Sequence, residues 1–289
     1  MLKTVDFTSK RNTGKPTAIL LGGFDGLHIG HKQLLSRAKS FGCPVGVMSI
    51  FGGKAGESLF SEEERADIFR RAGADFAFFL PFDKIKDMSA EAFLGILQTE
   101  YMPKAFICGD DFRFGYKAQG TPETLKTIGQ VCVEVHKQVQ INGEKVSATM
   151  IKRLLKGGEI EKANEVLGET FFLIGEVFQD RGVGKTLGFP TANIRYPKEK
   201  FPLKQAVYQT RAWVGDKAYD AITNYGARPT FDNKDVLTET YIDGFSGDLY
   251  GKKCKVEFIR FLRDVQKFES AESLRAQLQT DIRRVKIGD

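Results

Sequence analysis

Near residue 170 the sequence changes its punctuation, and this change constrains the fold more than any other feature. Before it, short apolar runs (Thr17–Leu21, Pro44–Phe51, Phe76–Leu80, Lys104–Cys108 and Val131–Val135) alternate with segments of helical period. A helical pattern begins near Ile29, Ser61-Glu62-Glu63-Glu64 forms a capping box, and Thr121-Pro122 is an N-cap followed by proline at the first helical position. Strands spaced by helices predict a parallel sheet covered on both faces. Asn142-Gly143 marks a tight hairpin, and two helices follow, near Ala148–Lys156 and Glu159–Leu167, broken by Gly157-Gly158. Beyond residue 170 the segments Phe171–Val177, Val207–Val214, Lys217–Thr223, Thr238–Ile242 and Lys253–Phe261 are short, aromatic or β-branched, and separated by Gly, Asp and Asn turns. That pattern predicts an antiparallel barrel or sandwich, closed by a helix from Ser270 to Arg284. The expectation is a Rossmann-like α/β domain over residues 1–170 and an all-β domain over 171–289.

Length agrees with two domains, since 289 residues is long for one. With 42% hydrophobic and 28% charged residues the chain reads as globular and soluble. The opening MLKTVDFTSKRNTGK lacks the apolar stretch of a secretory signal, and no run approaches the roughly 18–20 apolar residues of a membrane span. Cys43, Cys108, Cys132 and Cys254 are far apart and form no CxxC pair, as expected of reduced thiols in the cytoplasm. A net charge of +6 favours anionic partners. Small nucleotides satisfy that as well as RNA would, and the interspersed charges form no basic tail, which argues against nucleic acid. The charge run Ser61–Arg71 reads as a solvated helix face. Nothing in the sequence sets an oligomeric state.

Two of only three histidines, His28 and His31, lie in Gly22-Gly23-Phe24-Asp25-Gly26-Leu27-His28-Ile29-Gly30-His31, where the first strand hands over to the first helix. Free backbone N–H groups and the helix dipole make such a junction a phosphate site. Three-residue spacing lets both rings share one face of the first turn, and Gly30 lets backbone approach a ligand closely. Gly109-Asp110-Asp111-Phe112-Arg113-Phe114-Gly115 follows a strand end, where doubly wound sheets place ligand loops. Ser147-Ala148-Thr149-Met150-Ile151-Lys152-Arg153 opens a helix and offers hydroxyls and cations to phosphate. Read alone, Ser147 or Thr149 serves equally as a plain N-cap, and Asp110 and Asp111 as turn residues.

In the second half, Gly184-Lys185-Thr186 is not a P-loop, because Gln179 stands at the required glycine and Pro190 forbids the following helix. Pro190-Thr191-Ala192-Asn193 has a chemistry of its own. In an extended chain Thr191 and Asn193 point the same way, and two neutral oxygens can help hold Mg²⁺ that also binds nucleotide phosphates. A polar strand edge or an Asx turn is the other reading of the same four residues.

The HxGH element resembles the nucleotidyltransferase superfamily, and the three N-terminal segments together resemble the FAD synthetase module of bacterial bifunctional riboflavin kinase/FMN adenylyltransferases. The stretch Gly184–Asn193 is similar to the riboflavin kinase fingerprint, with further matches at Asn224–Phe231, Glu239–Ile242, Gly247–Gly251 and Phe261–Asp264. The resemblance covers both domains. It implies a nucleotidyltransferase domain followed by a six-stranded antiparallel barrel with a terminal helix. It also implies phosphorylation of riboflavin to FMN and adenylylation of FMN to FAD, with ATP as co-substrate and Mg²⁺ as cofactor. By the same resemblance Glu239 is the catalytic base and His28 and His31 act on the transferred adenylyl group. Gly22, Phe24, Asp25, Gly30, Asp111, Ser147, Thr149, Lys152, Arg153, Gly184 and Lys185 would meet ATP or its phosphates. Phe112 and Arg263 would meet the flavin, and Thr191 and Asn193 the metal. The chain departs from the family at Ala148, Lys152, Gln179, Ala206, Gly244 and Val265, and has Phe51-Gly52-Gly53-Lys54 where a Pro-His-Pro element is usual. Two other readings fit the same residues: one active module only, or a flavin-sensing RNA-binding regulator.

Overall fold

In a computed structural model, residues 2–6, 14–52, 57–127, 131–179, 191–227 and 236–287 are described. The chain divides into two units, residues 1–150 and 151–289. The first contains β1 (Lys3–Asp6), β2 (Thr17–Leu21), α1 (Ile29–Lys39), β3 (Val45–Phe51), α2 (Glu62–Arg71), β4 (Phe76–Pro81), α3 (Phe82–Ile85), α4 (Ala90–Tyr101), β5 (Pro103–Gly109), α5 (Pro122–Lys126) and β6 (Cys132–His136), then a small hairpin, β7 (Gln140–Ile141) and β8 (Glu144–Lys145). Strands β1 to β6 pair in parallel in the order β1-β4-β3-β2-β5-β6. Central β2 is buried along its whole length, which is why it reads as an uninterrupted apolar run without alternation. Successive strands run one way from β2 to β3 and β4, and the other way from β2 to β5 and β6. The switch point therefore lies between β2 and β5, and loops from their carboxyl ends meet there, as ligand sites of open α/β sheets do.

Helix α2 corrects one expectation. Its capping box forms, with the Ser61 hydroxyl accepting from Glu64 N–H and the Glu64 carboxylate accepting from Ser61 N–H at 2.8 Å. Glu64 and Arg65 are nonetheless buried, so the charge run is not a solvated face throughout. Burial is possible because the box uses the carboxylate and Arg65 is bonded on all sides by its surroundings.

The second unit is a closed six-stranded antiparallel barrel in the order β10-β13-β12-β11-β14-β9. Its strands are β9 (Phe171–Phe178), β10 (Thr191–Arg195), β11 (Ala206–Val214), β12 (Lys217–Ala227), β13 (Val236–Ile242) and β14 (Lys253–Asp264). In chain order α6 (Ala148–Gly157) and α7 (Ile160–Leu167) precede β9, and α8 (Ala271–Ile287) follows β14. Asn164 on α7 accepts from Phe171 N–H at 2.8 Å and donates to the Phe258 carbonyl at 2.9 Å. These bonds stitch α7 to β9 and β14, so α7 belongs with the barrel, and the division at residue 150 falls within the first turn of α6. Within the barrel, Thr210, Thr223 and Thr240 form a fully buried hydroxyl chain of 2.8 and 2.9 Å. Their partners on the alternate positions therefore face outward.

Candidate active sites

At the carboxyl end of β2 the chain turns sharply. Gly26 has φ +100°, and a Cβ there would lie 2.8 Å from the Phe60 ring, so only glycine fits. His28 caps α1, its Nδ1 accepting from His31 N–H at 3.3 Å. The His31 Nδ1 faces the Gly26 carbonyl at 3.2 Å, and a carbonyl only accepts, so this nitrogen carries a proton. The same reasoning leaves the His28 proton on Nε2. The rings stack with centroids 3.5 Å apart, and the Phe24 ring lies 4.5 Å from that of His31. Burial lowers the His28 pKa to about 4, with nearby Lys145 working in the same direction. His31 is pushed well below the usual imidazole range by burial and by His28. Both rings are neutral at pH 7, one a donor at Nε2 and the other an acceptor there.

Gly30 sits beneath this pair. A Cβ on it would lie 3.3 Å from Cε1 and Nδ1 of His28, so glycine here makes room for the ring. Gly22 is close-packed as well, since a Cβ would lie 2.8 Å from the Phe24 ring. Across the switch point, Asp111 accepts from Lys145 Nζ at 2.6 Å. Burial acts to raise the Asp111 carboxyl, but Lys145 and Gln138 outweigh it and hold it low. Both Asp111 and Lys145 act electrostatically on His28, so they belong to the same locale. Ser147 caps α6, accepting from Met150 N–H at 3.2 Å, and Thr149 is exposed in its first turn.

Other expected residues take different places. Phe24 is 2% exposed and Phe112 8%; the latter stacks on Phe114 in the core, so neither offers a free ring face to a flavin or nucleotide. Asp25 is engaged within the fold. Its carboxylate accepts from Leu59 N–H, Phe60 N–H and Arg65 at 2.7, 3.3 and 2.7 Å, tying the loop to the start of α2. Lys152 and Arg153 fall in the second unit, where the Lys152 ammonium lies 5.5 Å over the Phe201 ring and Arg153 is exposed.

In the barrel, register assembles the second cluster. Asn193 on β10 and Asn224 on β12 both pair with Glu239 on the strand between them, forming one row on the outer face. Thr191, Tyr241 and Ile222 form the next row. Asn224 Nδ2 reaches the Glu239 carboxylate at 3.5 Å. Asn193 is 6% exposed, and among the described residues its Oδ1 has no hydrogen-bond donor; the same holds for Asn224 Oδ1. Buried carbonyl oxygens left without donors beside a carboxylate suit a hard cation, so the residues present fit Mg²⁺. Two residues further along β13, Tyr241 and Ile222 meet Ile282 and Val285 of α8 in a shallow apolar groove beside Asp243 and Lys286, too small to hold more than about one water. Gly184 and Lys185 lie outside the described residues. Arg263 forms a bidentate pair with Asp281 of α8, at 2.8–3.2 Å, and serves as a helix latch where a flavin contact was expected. Asn224, Lys145 and Arg65 were not singled out from sequence; for Asn224 the period-two register with Glu239 was the available signal.

Comparisons with known proteins bear on both clusters. Residues 10–150 match the family described as FAD synthetase and residues 167–287 the family described as riboflavin kinase. A bifunctional riboflavin kinase/FMN adenylyltransferase of Buchnera aphidicola subsp. Acyrthosiphon pisum is 31% identical over 92% of this chain and 91% of its own. One from Haemophilus influenzae is 28% identical over 93% of each. A crystal structure titled as a macrolide-efflux protein from Streptococcus pneumoniae covers 99% of this chain and 98% of its own, with TM-score 0.87 and 25% identity. Among the described residues no helix is long and apolar enough to cross a membrane.

Proposed function

The chain belongs to the bifunctional riboflavin kinase/FMN adenylyltransferase family, and we propose that it performs the two reactions at two separate clusters, phosphoryl transfer on the barrel and adenylyl transfer at the β2–α1 junction. The observation that carries this is the division of phosphate-directed groups, His28 and His31 in one unit, Asn193 and Glu239 in the other. Four free cysteines and the absence of a spanning helix among the described residues support a cytoplasmic setting.

On the barrel, Glu239 accepts the proton of the terminal ribityl hydroxyl as that oxygen attacks the γ-phosphorus of ATP; the O–P bond forms, ADP leaves, and the proton passes to solvent. Asn224 orients the carboxylate through its 3.5 Å contact. Thr191 and Asn193 would hold Mg²⁺, which when bound neutralises charge on the ATP phosphates.

At the β2–α1 junction, an FMN phosphate oxygen attacks the α-phosphorus of ATP and pyrophosphate leaves. The protein supplies no nucleophile; it aligns the phosphates and stabilises charge. His28 donates from Nε2–H. His31 Nε2 carries no proton, and an incoming polyphosphate raises its proton affinity. Rings stacked at 3.5 Å disfavour two positive charges, so the pair takes up one proton. Lys145, Ser147 and Thr149 are the further groups proposed for phosphate. Incubation with riboflavin, ATP and Mg²⁺ tests the reading: FMN should appear with ADP, then FAD with pyrophosphate. FAD accumulating without pyrophosphate would contradict it.

A further inference from the structure

The residue that the charge pattern hid, Arg65, is 1% exposed and donates to three segments of chain. Its Nη2 reaches Asp25 Oδ1 at 2.7 Å, Nη1 reaches Ser49 Oγ at 3.0 Å and the Ile50 carbonyl at 2.8 Å, and Nε reaches the Phe60 carbonyl at 2.9 Å. The Ser49 hydroxyl passes one hydrogen bond on, to the Phe24 carbonyl at 3.1 Å. Ile50 N–H closes the circuit on the Gly23 carbonyl at 3.1 Å. A planar guanidinium fork satisfies these partners together, which an ammonium cannot.

What this network holds is telling. Phe24 has φ +27°, a conformation costly for a bulky residue and kept only where surroundings impose it. Its ring abuts His31, and Gly26, two residues on, offers the carbonyl that orients His31 Nδ1. The two links from Arg65 thus end on Phe24 and Asp25, immediately before that carbonyl. Burying a guanidinium is expensive, and an apolar side chain would serve packing alone.

We propose that Arg65, acting through Asp25 and the Ser49 relay, is a positioning residue for adenylyl transfer, fixing the Phe24–Gly26 turn so that the stacked histidines meet the phosphate in one orientation. This rests on the adenylyltransferase reading of the first cluster. Two variants separate positioning from folding. Ser49→Ala cuts only the relay to Phe24 and keeps Arg65; Arg65→Lys keeps the charge and loses the fork. Small misplacements of catalytic groups cost up to about 10²-fold, so kcat for FAD formation should fall about tenfold in Ser49→Ala and about 10²-fold in Arg65→Lys, with KM for ATP within about twofold. Riboflavin phosphorylation in the same samples should be unchanged, because that chemistry lies in the other unit. In Arg65→Ala, added guanidinium ion at sub-denaturing concentration should restore part of kcat and leave the parent unaffected. Folded Ser49→Ala and Arg65→Lys with kcat for FAD formation equal to the parent would overturn the proposal, as would a loss confined to KM. A parent chain making FMN but no FAD would instead overturn the adenylyltransferase reading, and this proposal with it.

Discussion

Adding one methyl group at Gly30 acts on helix stability and on chemistry with opposite signs. Gly30 is the second residue of α1, and alanine is favoured over glycine in helices by up to about 1 kcal/mol. For a unit of this size that corresponds to a rise in Tm of about 2–4 °C at most. The new Cβ, however, would stand 3.3 Å from Cε1 and Nδ1 of His28 and 3.5 Å from Val139 Cγ2. Carbon contacts are best at about 3.5–4.0 Å, so the ring must retreat by a few tenths of an ångström. It has little room, being stacked at 3.5 Å on His31, with its Nδ1 already 3.3 Å from His31 N–H. Retreat therefore loosens the cap and re-aims Nε2–H. Removing such a donor outright costs about 10²–10³ in kcat, so partial misplacement should cost about tenfold, or about 1.4 kcal/mol of transition-state stabilisation. The assay is FAD formation from FMN and ATP, with riboflavin phosphorylation as an internal control and thermal unfolding beside it. Undiminished kcat in a folded Gly30→Ala chain would refute the reasoning, since it would mean that the His28 ring does not need its observed position.

Asn193→Ala removes the buried Oδ1 that lacks a donor; the Mg²⁺ concentration for half-maximal FMN formation should rise by about tenfold or more, and an unchanged Mg²⁺ dependence would rule out the assignment. The pKa of His28 is lowered from 6.5 to about 4, so the unfolded chain binds the extra proton first as pH falls. Stability from this group is full above pH 6.5 and is lost as pH falls from there toward 4, by up to about 3 kcal/mol. His28→Asn keeps a capping acceptor without the titration, and its Tm should depend less on pH over that interval than the parent's. Asp281→Asn leaves the mostly buried Arg263 without its counter-charge; the barrel should lose about 3–5 kcal/mol by denaturant unfolding, with FAD formation from FMN intact below that transition.

Much of the architecture was legible because local chemistry and fold agree. Ser61 and Thr121 cap the helices they announce, Asn142-Gly143 turns a hairpin, and the run Thr17–Leu21 is apolar because both its faces are covered. Short β1, with only Lys3–Asp6 and mostly polar, carried no such signal. For the sites, spacing was informative where side chains act from one element. The HxGH rings do stack, and Thr191 and Asn193 do lie two apart on one strand. It failed where a polar residue finds its partner across the fold. Asp25 turns to Arg65 forty residues away and Arg263 to Asp281, and no local pattern distinguishes such a buried pair from a phosphate or flavin contact. Phe24 and Phe112 misled for a related reason: an aromatic in a ligand loop can as well be the floor beneath it.

The central claim is that two clusters in two units do two separable reactions. It is tested most directly by separating riboflavin, FMN and FAD after incubating two variants with ATP and Mg²⁺, each first matched to the parent in thermal unfolding. Glu239→Gln keeps the side-chain shape without the proton acceptor and should lose about 10²–10⁴ in riboflavin phosphorylation while still converting supplied FMN to FAD. The double variant His28→Ala/His31→Ala should convert riboflavin to FMN and stop there, with FAD formation down by at least about 10²–10³. A folded variant of either kind that lost both reactions together would contradict the account.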